Sequence, residues 1–289
     1  MEQIIDARMR LPMSMRPEPY QVAPPEMMGR YDSVLNVSER NKLGYDDLLR
    51  DMGLAGIGHA ILHAEYEAGD GVDEMNETIA NLVNTNGSLF SGFGSVSLSS
   101  HNIMKMRRQV DSVSKMGLVG LNLQPAFLGY DIDSAELYPV YAAACERNLT
   151  VAVHTGINYA RSKPMEGEHP LRLDRVASDF PDLRLIACHA AWPWVDDIVA
   201  VARRHPTVYL EFGGLAPKYV GQSNTGWGTA RKMLDNLLME QVLFASDWPT
   251  FDPVRGVTEW KEMGLPDDAL AALLGGNAAA LIRDSGRSK

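Results

Sequence analysis

Cysteine is nearly absent. Cys145 and Cys188 are the only two in 289 residues, and neither belongs to a CxxC pair or a zinc-ribbon spacing. A disulfide framework and a thiolate-built metal knuckle are therefore excluded, and both residues read as small, buried apolar side chains. Positive charge is the second shortage. With 27 Lys and Arg against 37 Asp and Glu the formal net charge is -10, so no basic stripe is offered to nucleic acid or to an anionic membrane. No apolar run approaches the roughly 18 residues of a membrane span, and the N-terminus lacks a basic region followed by an apolar core. A cytoplasmic protein is expected. Also missing are the phosphate-cradling loops GxGxxG and GxxxxGK(S/T), and the GxSxG elbow of serine hydrolases.

What is present is a regular alternation. With 45% hydrophobic and 22% charged residues, the chain can bury the core of one large domain, here read as residues 1–289. Strand-like runs occur at 3–8, 56–65, 88–98, 117–125, 150–154, 183–189, 207–212 and 242–247. Helical patterns fall between them at 45–53, 72–85, 101–116, 134–148, 169–179, 193–205 and 227–239, and then at 254–263, 267–274 and 277–284. Over 72–85, for example, Val72, Met75, Ile79, Leu82 and Val83 repeat with a 3.6-residue period. Eight strand-then-helix units imply right-handed parallel crossovers and an α/β fold, a single (β/α)8 TIM barrel. The Pro- and Met-rich stretch 11–41 is long for a loop, and is read as a lid or an oligomer arm.

In such a barrel catalytic side chains gather where the strands end. Strand side chains alternate faces, which pairs Ala152 with His154, Ala187 with His189, and Ala245 with Asp247 on inward faces. One buried histidine is commonly a core residue, but two histidines and an aspartate at equivalent ends of three strands describe a site. The same alternation sends Cys188 outward, toward the helical ring, and turns Ser246 away from Asp247. Asn122 and Gln124 face inward and can donate to a substrate carbonyl. Tyr159, Arg161 and Trp192 lie in loops just past strand ends, where substrate contacts are frequent. His59 and His63 are weaker candidates for the mouth, Glu211 is read as structural, and His101, His169 and His205 as solvated.

The segments VAVHTG (151–156), LIACHAAWPW (185–194), FASDWP (244–249) and GGNAAALI (275–282), with TVYLEFGG between the second and third, resemble amidohydrolase family 2. This is a group of metal-dependent hydrolase barrels that includes decarboxylases and lactonases. The resemblance implies that His154 stands at a fifth-strand metal-ligand position. It places His189 at a sixth-strand ligand or acid–base position, and Asp247 at an eighth-strand ligand or proton-transfer position.

The first strand departs from that pattern. Where the family carries Asp-x-His-x-His, this chain has Asp6, Ala7, Arg8, Met9 and Arg10. A guanidinium keeps its charge and has no lone pair to give a metal. No metal cofactor is expected, and zinc is disfavoured; a weak site on His154 and Asp247 is the most that could survive. Arg8 and Arg10 read either as a forked clamp for a substrate carboxylate or as internal salt-bridge partners of Asp247 or Asp6. The expected activity is hydrolysis of a small carboxylated lactone or ester by a homo-oligomer. Asp247 takes a proton from water, while His189 and His154 polarise the carbonyl or protonate the leaving oxygen. The alternatives are a non-oxidative decarboxylase or hydratase, and a non-catalytic barrel that binds an acidic ligand.

Overall fold

The computed structural model describes residues 3–17, 29, 32–65, 71–158 and 163–286. Its eight strands follow one another in sequence order, every neighbouring pair parallel. They are β1 (Ile4–Arg10), β2 (Ile57–His63), β3 (Phe90–Gly94), β4 (Gly120–Leu123), β5 (Thr150–His154), β6 (Leu185–Cys188), β7 (Val208–Glu211) and β8 (Val242–Leu243). The ring closes between the last strand and the first. Ala7 N donates to Phe244 O at 2.9 Å, Asp247 N to Arg8 O at 2.9 Å, and Arg10 N to Trp248 O at 2.8 Å. This is the expected (β/α)8 barrel, with no exposed sheet edge to protect.

Two apolar cores hold it. Inside the barrel Ile5, Ala7, Ile61, Phe93, Ala152, Ile186, Leu243 and Ala245 fill the space between the strands, and Ala278 and Leu281 of the last helix pack on the same cluster. A larger core lies between the strands and the surrounding helices. The GG of the GGNAAALI run serves close packing, because a side chain at Gly275 would collide with the Gln3 carbonyl. The helices end on local signals. Asp47 accepts from Gly44 N at the start of Tyr45–Ala55, which stops at left-handed Gly56, and Asp252 accepts from Val254 N at the start of Pro253–Lys261.

Several expectations are corrected. The helix read over 227–239 ends at Arg231 and continues as turns, where Asn236 spends its side chain on the Lys232 carbonyl and the Leu237 amide. Such local bonds compete with the helical ladder. The third strand stops at Gly94, and the helix expected over 267–274 gives way after Ala271 to a π-helical stretch, Ala272–Gly276. Of the 11–41 segment, residues 18–28, 30 and 31 lie outside the described residues. Within the described part, the short helix Val37–Arg40 is tied to the loop just past β8 by an Arg40 Nε–H bond to the Pro249 carbonyl. No helix among the described residues is long and apolar enough to cross a membrane.

Candidate active site at the strand ends

The first strand delivers both arginines to the mouth. The β1–β2 register is irregular between Asp6 and Met9, where Asp6 Oδ1 accepts from Arg8 N at 3.0 Å and from Ser246 N at 3.1 Å. This bulge lets Ala7 pack in the inner core while Arg8, its neighbour, also turns inward. Arg8 is 1% exposed. Its Nε donates to Glu211 Oε2 at 2.9 Å, and its Nη2 donates to Asn122 Oδ1 at 2.9 Å and to Cys188 Sγ at 2.7 Å. A buried cation is tolerated only when so partnered, and the facing thiol and carboxylates raise its pKa although burial opposes them.

Arg10 sits above it, with a side chain 21% exposed. Its Nε and Nη2 fork onto the two oxygens of Asp247 at 3.0 Å each, and Nε lies 3.6 Å from Glu65 Oε1. Burial works against ionisation of Asp247. The charge of Arg10, then of His189 and Arg8, outweighs it and holds the carboxyl below its ordinary range. Asp247 is thus a carboxylate already engaged in a bidentate pair.

The two imidazoles stand side by side, with ring centroids 4.9 Å apart. His154 Nδ1 lies 2.6 Å from Glu168 Oε1, and the edge of Phe127 packs on the same ring. His189 Nδ1 donates to the Gly213 carbonyl at 2.7 Å, which leaves Nε2 as the acceptor in the neutral ring. Burial, followed by the neighbouring His154, lowers the His189 pKa and favours that neutral form.

In β6 the alternation holds with its expected phase reversed. Cys188, expected outside, belongs to the inner core and touches Arg8, while Ala187 packs outward. His189 reaches the mouth because β6 ends before it, and His189, Ala190 and Ala191 all take left-handed conformations, with φ of 58°, 43° and 52°. Asp247 does the same at φ 58°. Left-handed residues other than glycine cost about 1–2 kcal/mol each and persist where packing over-determines them, a condition concentrated at functional sites.

Asn122 holds Arg8 with its oxygen and donates from Nδ2 to the Ala64 carbonyl, so it is committed to the scaffold of the mouth. Gln124 donates to Glu65 Oε2 at 3.2 Å and lines a small recess with Glu65, Ser95, Val72, Val96, Leu98 and Leu128. Trp192 is partly buried against the outer core, and its carbonyl accepts from Ile157 N. Tyr159 and Arg161 lie outside the described residues. His63 faces the mouth at 1% exposure with Nε2 on the Ala7 carbonyl, and burial with the nearby Arg8 charge holds it well below the usual histidine range.

Three carboxylates complete the site. Glu211, read as structural, is the principal counterion of Arg8. Glu65 lies two residues past His63, a same-face spacing that could have signalled it. Glu168 lies fourteen residues beyond His154 in a 3-10 turn (Met165–Glu168), and no spacing rule points there.

The donor set does not suit a divalent metal. Among the described residues no group of three or more His, Cys, Asp or Glu is arranged to hold one. The two guanidinium groups occupy the first-strand positions and bond to Asp247 and Glu211, the carboxylates on the facing strand ends.

A parallel eight-stranded barrel with imidazoles, carboxylates and arginines converging on its C-terminal mouth is the architecture of an enzyme. The chain belongs to the amidohydrolase family, whose model matches residues 17–283. An uncharacterised TIM-barrel protein from Bordetella bronchiseptica is 24% identical over 99% of this chain and 100% of its own, with TM-score 0.81. The 5-carboxyvanillate decarboxylase LigW from Sphingomonas paucimobilis is 17% identical over 98% of this chain and 99% of its own, with TM-score 0.73. A dihydroxybenzoic acid decarboxylase from Polaromonas, solved with manganese and 2-nitroresorcinol, is 15% identical over 98% and 97%, with TM-score 0.67. At these identities the likeness is one of fold. No curated protein matches the chain.

Proposed function

We propose that the barrel hydrolyses a small carboxylated lactone or ester by acid–base chemistry between its two imidazoles, without an obligatory metal. The observation that carries this reading is the pair itself: two rings 4.9 Å apart, each fixed at Nδ1 by a different acceptor. The base is His189 rather than Asp247. The carboxyl of Asp247 is held below its ordinary range by Arg10, which makes it a poor proton acceptor, whereas the lowered His189 pKa keeps a neutral nitrogen ready.

Water gives a proton to His189 Nε2 as its oxygen bonds to the acyl carbon, and the carbonyl electron pair moves onto oxygen. When the carbonyl re-forms, the bond to the leaving oxygen breaks, and that oxygen takes a proton from His154 Nε2. The adjacent rings then re-equilibrate the proton. Arg10, partly exposed, receives the substrate carboxylate, which shares or displaces Asp247 on the fork. Arg8 supports from beneath, because at 1% exposure it is committed to Glu211, Asn122 and Cys188. General acid and base help of this kind contributes about 10² to 10⁴ in rate, enough for an activated ester.

The decarboxylases among the similar structures favour a second reading, in which a proton from His154 replaces the carboxyl group of an aromatic or muconate-type acid. Product analysis separates the two. Carboxylated lactones and esters and hydroxylated aromatic acids are incubated with protein in excess chelator, and acid release and carbon dioxide are both measured. Acid release from the lactones, lost in His189→Asn and with KM raised in Arg10→Lys, supports hydrolysis. Carbon dioxide release, or turnover that appears only with added manganese or zinc, refutes it.

A further inference from the structure

We propose that Glu168 is a positioning residue: its carboxylate fixes the His154 ring with Nδ1–H turned toward it and Nε2 turned into the mouth, and it balances the ring's charge whenever Nε2 carries a proton. The rate consequences rest on the acid–base reading above, but the orientation of the ring does not.

Three observations converge. The contact is short, 2.6 Å from Nδ1 to Oε1, the length of a charge-assisted bond. Glu168 is fully buried at 0% exposure, and its second oxygen has no hydrogen-bond partner among the described residues. The neighbouring ring meets the same orienting need differently, since His189 gives its Nδ1 proton to the neutral Gly213 carbonyl. If His154 needed only a hydrogen bond, a carbonyl or an amide would suffice, and a buried carboxylate left half satisfied is a costly way to supply it. What a carboxylate adds is charge. Beside His154 that charge fixes which ring nitrogen turns toward the carboxylate, while burial and the adjoining His154 favour the neutral form of His189. Two neighbouring imidazoles are thereby oriented by different acceptors, one a buried carboxylate and the other a backbone carbonyl. In the transfer step the Nε2–H bond of His154 breaks, an O–H bond forms on the leaving oxygen, and the Nδ1 proton stays in place on its bond to Glu168.

The test uses the full chain labelled with ¹⁵N-histidine, the His154 signals being identified by their loss in His154→Asn. The wild-type ring is expected to carry its proton on Nδ1 whenever it is neutral. In Glu168→Gln, which retains an acceptor oxygen without the charge, that pattern persists, the melting temperature holds or rises, and kcat falls about 10- to 100-fold with KM unchanged. In Glu168→Leu the two neutral tautomers mix. A wild-type neutral ring protonated on Nε2 overturns the proposal, as does a Glu168→Gln variant that melts far lower yet keeps its kcat, which is the signature of a purely structural carboxylate. If the wild type turns over no substrate, the acid–base reading fails by itself and the nitrogen signals still decide the orientation.

Discussion

Replacing Asp6 by asparagine isolates a buried acid whose ionisation opposes folding near neutrality. Asp6 is 0% exposed, and burial, with a smaller push from the Glu211 charge, raises its pKa from 3.8 to about 7 against the lowering effect of bonds from Ser246 and Arg8. The native chain therefore holds this proton more tightly than the unfolded chain. The stability that results is fully present below about pH 4 and is lost as pH rises toward 7, at about 1.4 kcal/mol for each pH unit. Across the whole interval the loss sums to about 4 kcal/mol, and above pH 7 it is complete and flat. Asparagine keeps an oxygen to accept from the Arg8 and Ser246 amides and cannot ionise. Urea unfolding of wild type and Asp6→Asn at pH 5, 6, 7 and 8 gives the difference directly. The variant should gain on the wild type steadily up to about pH 7 and hold a constant advantage beyond it. A difference independent of pH would show that Asp6 is ionised throughout, and the reasoning from burial would fall.

Removing the other buried charge has the opposite sign. Arg8→Met leaves Glu211 buried without its 2.9 Å partner, and should cost about 3–5 kcal/mol in urea unfolding. Adding Glu211→Gln should restore much of it, and additive effects would show that the pair is not coupled. Cys188 is 0% exposed, and burial pushes its thiol up despite the Arg8 charge. In a Cys145→Ser variant, which removes the half-buried second thiol, a thiol-reactive dye should label Cys188 only at the rate of global opening, and rapid labelling of that native variant would contradict its place inside the barrel.

How much of this was legible in the sequence follows from local physics. The barrel was, because strands and helices alternate with distinct periods and each strand runs the same way. His154 and Asp247 were, because residues at the end of an inward-facing register must meet at the mouth. The route of His189 was not, because β6 ends before three successive residues turn left-handed, and counting the strand's phase back from His189 put Cys188 outside when it shares the inner face with Ile186. Arg8 was visible as a cation in the mouth but not as a buried one, since its turn inward depends on the bulge at Asp6 and its partners come from β4, β6 and β7. Glu168 was invisible for want of any spacing that ties a loop carboxylate to a strand histidine.

The central claim is that two arginines paired with Asp247 and Glu211 stand at the first-strand positions where the family resemblance implies histidines, leaving proton transfer to His154 and His189. The most direct test is elemental analysis of the protein as purified, repeated after manganese or zinc is added and excess removed. The account predicts substoichiometric metal in both samples, and turnover unchanged by chelator. One tightly held transition metal ion per chain, lost together with activity on chelation, would contradict it.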